Sequence, residues 1–211
     1  MYNDIDSFDQ FVSIIRKRCG NNRLRGLAIS TAGFVLSDEG RIVSCKCAPY
    51  LEGEVVHRLK KEFPFTKIAV VNDGEAHARA LLYPNRNVRF GAVHFALGTS
   101  VAFGVIDNNR KIVRTCNGEN WDIGDYILKT REKPYEAWYK LGAVGLKELE
   151  TNLSGDPYYH FGMRAAGLIT NLAVVFRPST IGLSGGIISS HGTQILRGIK
   201  KNSERPYYLI Q

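Results

Sequence analysis

The segment Lys67–Ala80, KIAVVNDGEAHARA, constrains the fold more than any other part of the chain. Ile68, Ala69, Val70 and Val71 form an apolar run with no polar face, and a helix-like segment begins directly after Asn72-Asp73-Gly74. Such a run predicts a short core strand of the kind found in parallel sheets covered on both sides. Asn72 and Asp73 then fall at its carboxyl end, where open α/β sheets place their ligands. The residues alone leave two uses for Asp73. It caps the following helix, as Asp commonly does, or it presents a carboxylate to a ligand.

The surrounding pattern supports an α/β class. Ser7 with Gln10 is a capping-box pair. Behind it Phe8, Phe11, Val12 and Ile15 recur at helical spacing, with Gly20 as a stop. RLRGLAIST reads as a strand ending at Thr31-Ala32-Gly33, and FVLSDEGRIVSC as a hairpin around Asp-Glu-Gly. EGEVVHRLKKEF is an amphipathic helix ended by Pro64. Strand and helix therefore alternate through the first part of the chain. From Phe90 onward, FGAVHFALGTSVAFGVID predicts two strands around a Gly-Thr-Ser turn. Helices are expected over about residues 135–150 and over 157–176, where Pro178 stops the second. STIGLSGG is then a strand running into glycines, and TQILRGIKK a short helix.

Composition excludes several classes. The 211 residues are 44% hydrophobic and 23% charged, as in ordinary globular proteins. No apolar run approaches the roughly 20 residues that span a bilayer, so no membrane partner is expected. The opening MYNDIDSFDQ is acidic and polar, unlike a signal or transit peptide. Four cysteines (Cys19, Cys45, Cys47, Cys116) do not make a disulfide scaffold, and a reducing cytoplasm fits them. Cys45-Lys46-Cys47 is half of a metal-binding pattern, but no second Cys/His pair accompanies it, so no structural zinc is expected. The formal charge of +8 raises the question of nucleic acid. The basic residues are spread along the chain and are not interleaved with aromatics as in a stacking platform. Nucleic acid is therefore not expected as a partner, whereas a basic balance suits an anionic small ligand.

Three further segments carry polar or glycine chemistry. The turn Gly98-Thr99-Ser100 offers backbone amides and hydroxyls to a phosphate, or is an ordinary hairpin turn. Gly185-Gly186, between a strand and a helix, lets a flat ligand approach the backbone, or simply turns the chain. Glu119, Asp122 and Asp125 lie in a loop beside Trp121, where carboxylates accept bonds from sugar hydroxyls or are solvated.

The order of these segments is more specific than any one of them. A strand reaching Gly33, Asn72-Asp73, Gly98-Thr99, the acidic Asp122-Ile123-Gly124-Asp125, then Pro178 and a strand to Gly185-Gly186 resembles the ROK family of bacterial sugar kinases and repressors. The resemblance covers about residues 24–188. GLAISTAGFV is similar to the family's GIGVPGLV, VVNDGEAHA to VENDANAAA, and FALGTSVAFGVI to VTLGTGIGGGII. GLITNLAVVFRPSTIGLSGGI is similar to GIANLVNLLNPEVIVLGGGV, the most specific of the four matches.

This resemblance implies a two-lobed hexokinase/actin-like (ribonuclease H-like) α/β fold. Residues 1–83 would be the first lobe, truncated at its N-terminus, and residues 84–211 the second, nucleotide-binding and dimerising lobe. It implies Asp73 as the catalytic base that takes a sugar hydroxyl proton. Gly33, Asn72, Glu119, Asp122 and Asp125 would face the sugar, and Gly98, Thr99, Ser100, Gly185 and Gly186 the nucleotide. Cofactor and partners would be ATP with Mg2+, a hexose or N-acetylhexosamine, and a second copy of the chain.

The sequence also departs from the family. Its Asp-Ile-Gly-Gly-Thr hairpin is not found, and its cysteine-rich zinc motif is absent. Glu-Ile-Gly-His is replaced by Asp122-Ile123-Gly124-Asp125, and Ser100, Ala102 and Phe103 would crowd the phosphate loop. The expectation is therefore a sugar-kinase-related protein of weak or no activity as this chain, or a non-catalytic sugar-binding or regulatory relative. The family's repressors carry a helix-turn-helix that this sequence does not show, which disfavours direct DNA binding.

Overall fold

The structure is a computed structural model that describes residues 5–20, 22–83, 91–124, 127–129, 134–202 and 208–210. Two compact units emerge, Met1–Asp73 with Thr115–Asn120, and Gly74–Arg114 with Trp121–Gln211. The helix after Asp73 thus groups with the second unit, whereas the sequence reading keeps residues 74–83 with the first. Gly74 shows why: a Cβ there would lie 2.1 Å from the carbonyl oxygen of Phe103, so the helix rests directly on second-unit backbone.

The first unit begins with α1 (Phe8–Cys19). Its capping box forms: Ser7 Oγ accepts from the Gln10 amide at 3.2 Å, and Gln10 Oε1 accepts from the Asp6 amide at 2.8 Å. Gly20 ends the helix at a φ of 54°. Then follow β1 (Gly26–Thr31), the antiparallel hairpin β2 (Phe34–Leu36) and β3 (Arg41–Ser44), α2 (Val55–Glu62) and β4 (Lys67–Asn72). β1 and β4 pair in parallel from Gly26↔Lys67 to Thr31↔Asn72, so both strands end at the same level. Val12, Ile29, Val35, Ile42, Leu59 and Val70 form the core. Contrary to the two-sided burial expected of β4, Val70 is buried but Ala69 is exposed. An all-apolar run therefore covers one face only, because alternate side chains of a strand point to opposite faces.

The second unit opens with α3 (Asp73–Ala80) and the strands β5 (Ala92–Leu97), β6 (Val101–Ile106) and β7 (Ile112–Val113). Beyond them lie the short pair β8 (Ile127–Lys129) and β9 (Pro134–Glu136), α4 (Ala137–Lys140), α5 (Ala143–Asn152) and α6 (Pro157–Phe176). The unit finishes with β10 (Thr180–Ser184), α7 (Gly186–Asn202) and β11 (Tyr208–Ile210). Two elements differ from expectation. The helix expected over 135–150 is divided, because Gly142 adopts an extended conformation that restarts it as α5. α7 is longer than the sequence suggests, starting at Gly186 and passing a non-helical residue, His191.

The main sheet has the order β11-β10-β5-β6-β7, with β5–β6 an antiparallel hairpin and β10 parallel to both β5 and β11. β5 is buried at all six positions, which makes it the strand covered on both faces. One face, with Phe95, Phe103 and Leu183, packs on Phe161, Ala165 and Leu168 of α6. The opposite face receives α3 at Gly104 and Leu81, just beyond α3, at Gly182. A Cβ at Gly104 would lie 2.4 Å from Gly74 O and 2.6 Å from Ala78 Cβ, and one at Gly182 would lie 3.0 Å from Leu81 Cδ2.

Gly104→Ala is expected to destabilise the protein by about 1–3 kcal/mol, since a methyl group there must displace backbone. Gly167→Ala is the control. It lies in α6 with open space around it and should gain about 0.5–1 kcal/mol from helix propensity. Urea unfolding followed by circular dichroism measures both.

Candidate functional site

In the first unit the site is built at the shared end of β1 and β4. Asn72 is buried there, and its Nδ2 donates to Gly33 O at 3.0 Å, with Thr31 O at 3.5 Å. Gly33 itself has a φ of 100°, and a Cβ would lie 2.1 Å from Ser44 O. Only glycine satisfies both the positive φ and the close passage of the hairpin. Asn72 thereby fixes the turn that brings Gly33 to the strand ends. Asp73 follows at once as the first residue of α3 and is half-buried. A partly desolvated carboxylate on a strand end is held as a general base needs to be.

Glu119 belongs to the same unit. It is half-buried in a turn closed by Thr115 N to Glu119 O at 2.9 Å and Glu119 N to Thr115 Oγ1 at 3.1 Å. The next residue, Asn120, is buried, and its Oδ1 accepts from the Val35 amide at 2.9 Å. The β2–β3 ladder is irregular between Phe34 and Val35. Asn120 thus satisfies a backbone donor inside the core, where an unpaired one would be costly. Sequence reasoning missed it, because the need arises from a bulge that no residue type announces.

In the second unit, Gly98-Thr99-Ser100 joins β5 to β6, with Gly98 N donating to Ser100 O at 3.0 Å. Thr99 O accepts from Ala143 N at the start of α5 at 3.3 Å, while the Thr99 and Ser100 side chains are exposed. Gly185 lies directly against this turn: β10 pairs Ser184 with Ala96, and a Cβ on Gly185 would lie 2.3 Å from Leu97 O. Gly98 and Gly185-Gly186, far apart in sequence, are therefore neighbours in space. Gly185 is required by packing and by its φ of 102°. Gly98 and Gly186 have open space at their Cβ positions, so no protein atom demands glycine there. What their absent side chains leave is room above exposed backbone. α7 starts at Gly186, and first-turn amides of a helix lack partners within it.

Phe103 does not crowd the phosphate loop as the sequence suggests. It is 1% exposed and packs between Phe95 and Phe176, at ring-centroid distances of 4.9 and 5.6 Å. Its place in β6, two residues past Val101, turns it into the core. Asp122 is exposed, and its Oδ1 accepts from the Gly124 amide at 3.0 Å, closing its own loop. Asp125 lies outside the described residues.

Two polar groupings were not anticipated. Glu75, 2% exposed, is gripped by Arg114 through Nε–Oε1 at 2.7 Å and Nη2–Oε2 at 3.2 Å. No residue type announced it: that this carboxylate sits beside buried Gly74 and Ala78, and so needs a cation, follows only from packing. The second grouping is His77, whose Nδ1 lies 3.1 Å from Ser184 Oγ and whose ring stacks on His94 at 5.5 Å.

No protein-family profile matches the chain, and no curated protein sequence matches it. Solved structures do. A candidate sugar kinase from Cytophaga hutchinsonii superposes with a TM-score of 0.77 at 21% identity, over 95% of this chain and 79% of that one. A ROK family glucokinase from Streptomyces griseus, solved with glucose and AMPPNP, gives 0.70 at 15% identity, over 96% and 82%. The fold is that of the ROK proteins. A ROK family transcriptional regulator, a homologue of the Escherichia coli Mlc protein, also matches, at 0.72 and 14% identity over 92% of this chain and 60% of that one. The ROK fold thus carries both kinases and a regulator.

Within this ROK fold the buried Glu75–Arg114 pair is expected to matter far more than a surface pair. Glu75→Ala removes both carboxylate oxygens that grip the Arg114 guanidinium and should cost about 3–5 kcal/mol. Glu62→Ala, which breaks the exposed Arg16–Glu62 pair, should cost less than about 1 kcal/mol. Denaturant titration of the two variants, with Arg114→Ala and the double variant to complete the cycle, checks this difference.

Proposed function

We propose that this chain is an ATP-dependent sugar kinase of the ROK type, acting on a hexose or an N-acetylhexosamine. The observation that carries the reading is the anchored Asn72 followed at once by Asp73, at the common end of two parallel strands. Asp73 accepts the proton of the sugar hydroxyl as that oxygen takes the phosphoryl group. Asn72 holds Gly33 and with it the shape of the sugar pocket, and Glu119 supplies a further acceptor for sugar hydroxyls. Adenine nucleotide lies over Gly98-Thr99-Ser100 and Gly185-Gly186, where open glycine positions, two exposed hydroxyls and the start of α7 suit an anionic phosphate chain. The described residues gather no group of three or more His, Cys, Asp or Glu for a metal. Mg2+, which commonly takes few protein ligands beside nucleotide phosphates and water, fits such a set when it arrives with the nucleotide and neutralises phosphate charge there. The glucose and AMPPNP held by the Streptomyces griseus glucokinase support the two ligand classes.

A second reading is a sugar-binding regulator without catalysis. It is favoured by Asp122, whose carboxylate closes its own loop, and by the regulator that shares the fold. The two readings separate in one experiment. A coupled ADP-release assay is run over glucose, mannose and their N-acetylated amines, beside calorimetry of the same sugars, on the wild type and Asp73→Asn. The kinase reading expects turnover that falls about a hundredfold or more in Asp73→Asn, with sugar affinity changed far less. Sugar binding in both proteins and turnover in neither establishes the second reading. No binding and no turnover overturns both.

A further inference from the structure

Cys45 and Cys47 flank Lys46 at the end of the β2–β3 hairpin, and their Sγ atoms stand 3.3 Å apart. The two environments are opposite. Cys45 is 0% exposed, part of the first-unit core, with Thr31 Oγ1 at 3.1 Å from its Sγ. Its backbone is fixed on both sides, the amide donating to Glu52 Oε1 at 2.7 Å and the carbonyl accepting from Ala48 N at 3.1 Å. Cys47 is exposed. One thiol is thus open to a reagent, and the other is held behind it within reach.

We propose that Cys45 and Cys47 are a redox-active dithiol that closes to a reversible disulfide by exchange with a low-molecular-weight disulfide such as oxidised glutathione. The Cys47 thiolate attacks one sulfur of the small disulfide, forming a mixed disulfide and releasing one thiolate. Cys45 loses its proton to solvent and attacks the Cys47 sulfur, forming the Cys45–Cys47 bond and expelling the second thiolate. Both expelled thiolates take up protons. Two electrons pass from the protein to the small disulfide, which leaves as two thiols. The order of attack follows from access, and burial strengthens it by pushing the Cys45 thiol up from its ordinary range, with the neighbouring Cys47 adding to the effect.

The bond would also be felt at the strand ends. A Cβ on Gly33 would lie 3.0 Å from Cys45 Cα, and Gly33 O is the acceptor of Asn72. Cys45 therefore lies directly against the turn that Asn72 anchors.

The test is mass spectrometry of the full chain equilibrated in glutathione redox buffers, with free thiols blocked before digestion. Trypsin cuts after Lys46, so a Cys45–Cys47 bond holds residues 42–46 and 47–58 together until reduced. The wild type is expected to give this linked pair, and Cys47→Ser to abolish it. Cys45→Ser should leave glutathione trapped on Cys47. If that variant fails to fold, the wild-type mapping decides by itself. Exposed Cys116 is the internal reference, expected to carry glutathione alone. Glutathione persisting on wild-type Cys47 while Cys45 stays reduced would overturn the proposal, as would two unmodified thiols in a buffer that modifies Cys116. The readout is independent of sugar or nucleotide, so it stands or falls apart from the kinase reading.

Discussion

Much of the second unit depends on one contact in which backbone meets backbone. α3 lies on the sheet with no side chain larger than a methyl group interposed, Gly74 against Phe103 and Gly104 against Gly74 and Ala78. Close packing leaves no slack at such a contact, so each added methyl group must move a main chain. The consequence extends along both strands. Because α3 covers one face and α6 the other, β5 is buried throughout, and its turn at Gly98 emerges from a fully enclosed strand. The exposed Gly98-Thr99-Ser100 segment is then a short protrusion on a rigid base, braced by Ala143. Any ligand met by such a turn finds donors that are already preorganised and lose little entropy on binding.

The fold was legible wherever local chemistry and periodicity agreed. Ser7 and Gln10 announced α1, the Asp-Glu-Gly turn announced the β2–β3 hairpin, and the glycine ending of β10 announced the turn that lies against β5. The strand–helix alternation was enough for the class, and the order of motifs for the resemblance. What could not be read depended on neighbours distant in sequence. Ala69 and Phe103 show the two kinds of error. An apolar strand does not say how many of its faces are covered, so Ala69 was expected inside and is exposed. A bulky residue beside a turn does not say which face it takes, and strand parity placed Phe103 in the core.

The candidate site was legible in its parts and not in its supports. Asn72, Asp73, Gly33, Gly98 and Gly185 were named from sequence, and the structure joins them into two groups, one in each unit. Asn120 and Arg114 were invisible, because each answers a demand created by packing: an orphan amide at a bulge, and a carboxylate on a buried helix face. Buried polar groups of this kind add little net stability when paired, and cost much when one partner is lost. They act by allowing one arrangement and penalising its alternatives.

Asn120 also bears on how this protein can be taken apart. The first unit draws it from a short excursion, Thr115–Asn120, that lies beyond more than thirty second-unit residues in the chain. A recombinant piece ending near residue 83 would contain all of α1 through β4, yet leave the Val35 amide without its acceptor in the middle of its own core. The unit that looks contiguous in sequence is therefore not separable by a single cut. A dissected version would need the excursion grafted back, or residue 35 replaced by one that makes no such demand, and proline is the one amino acid that lacks the amide.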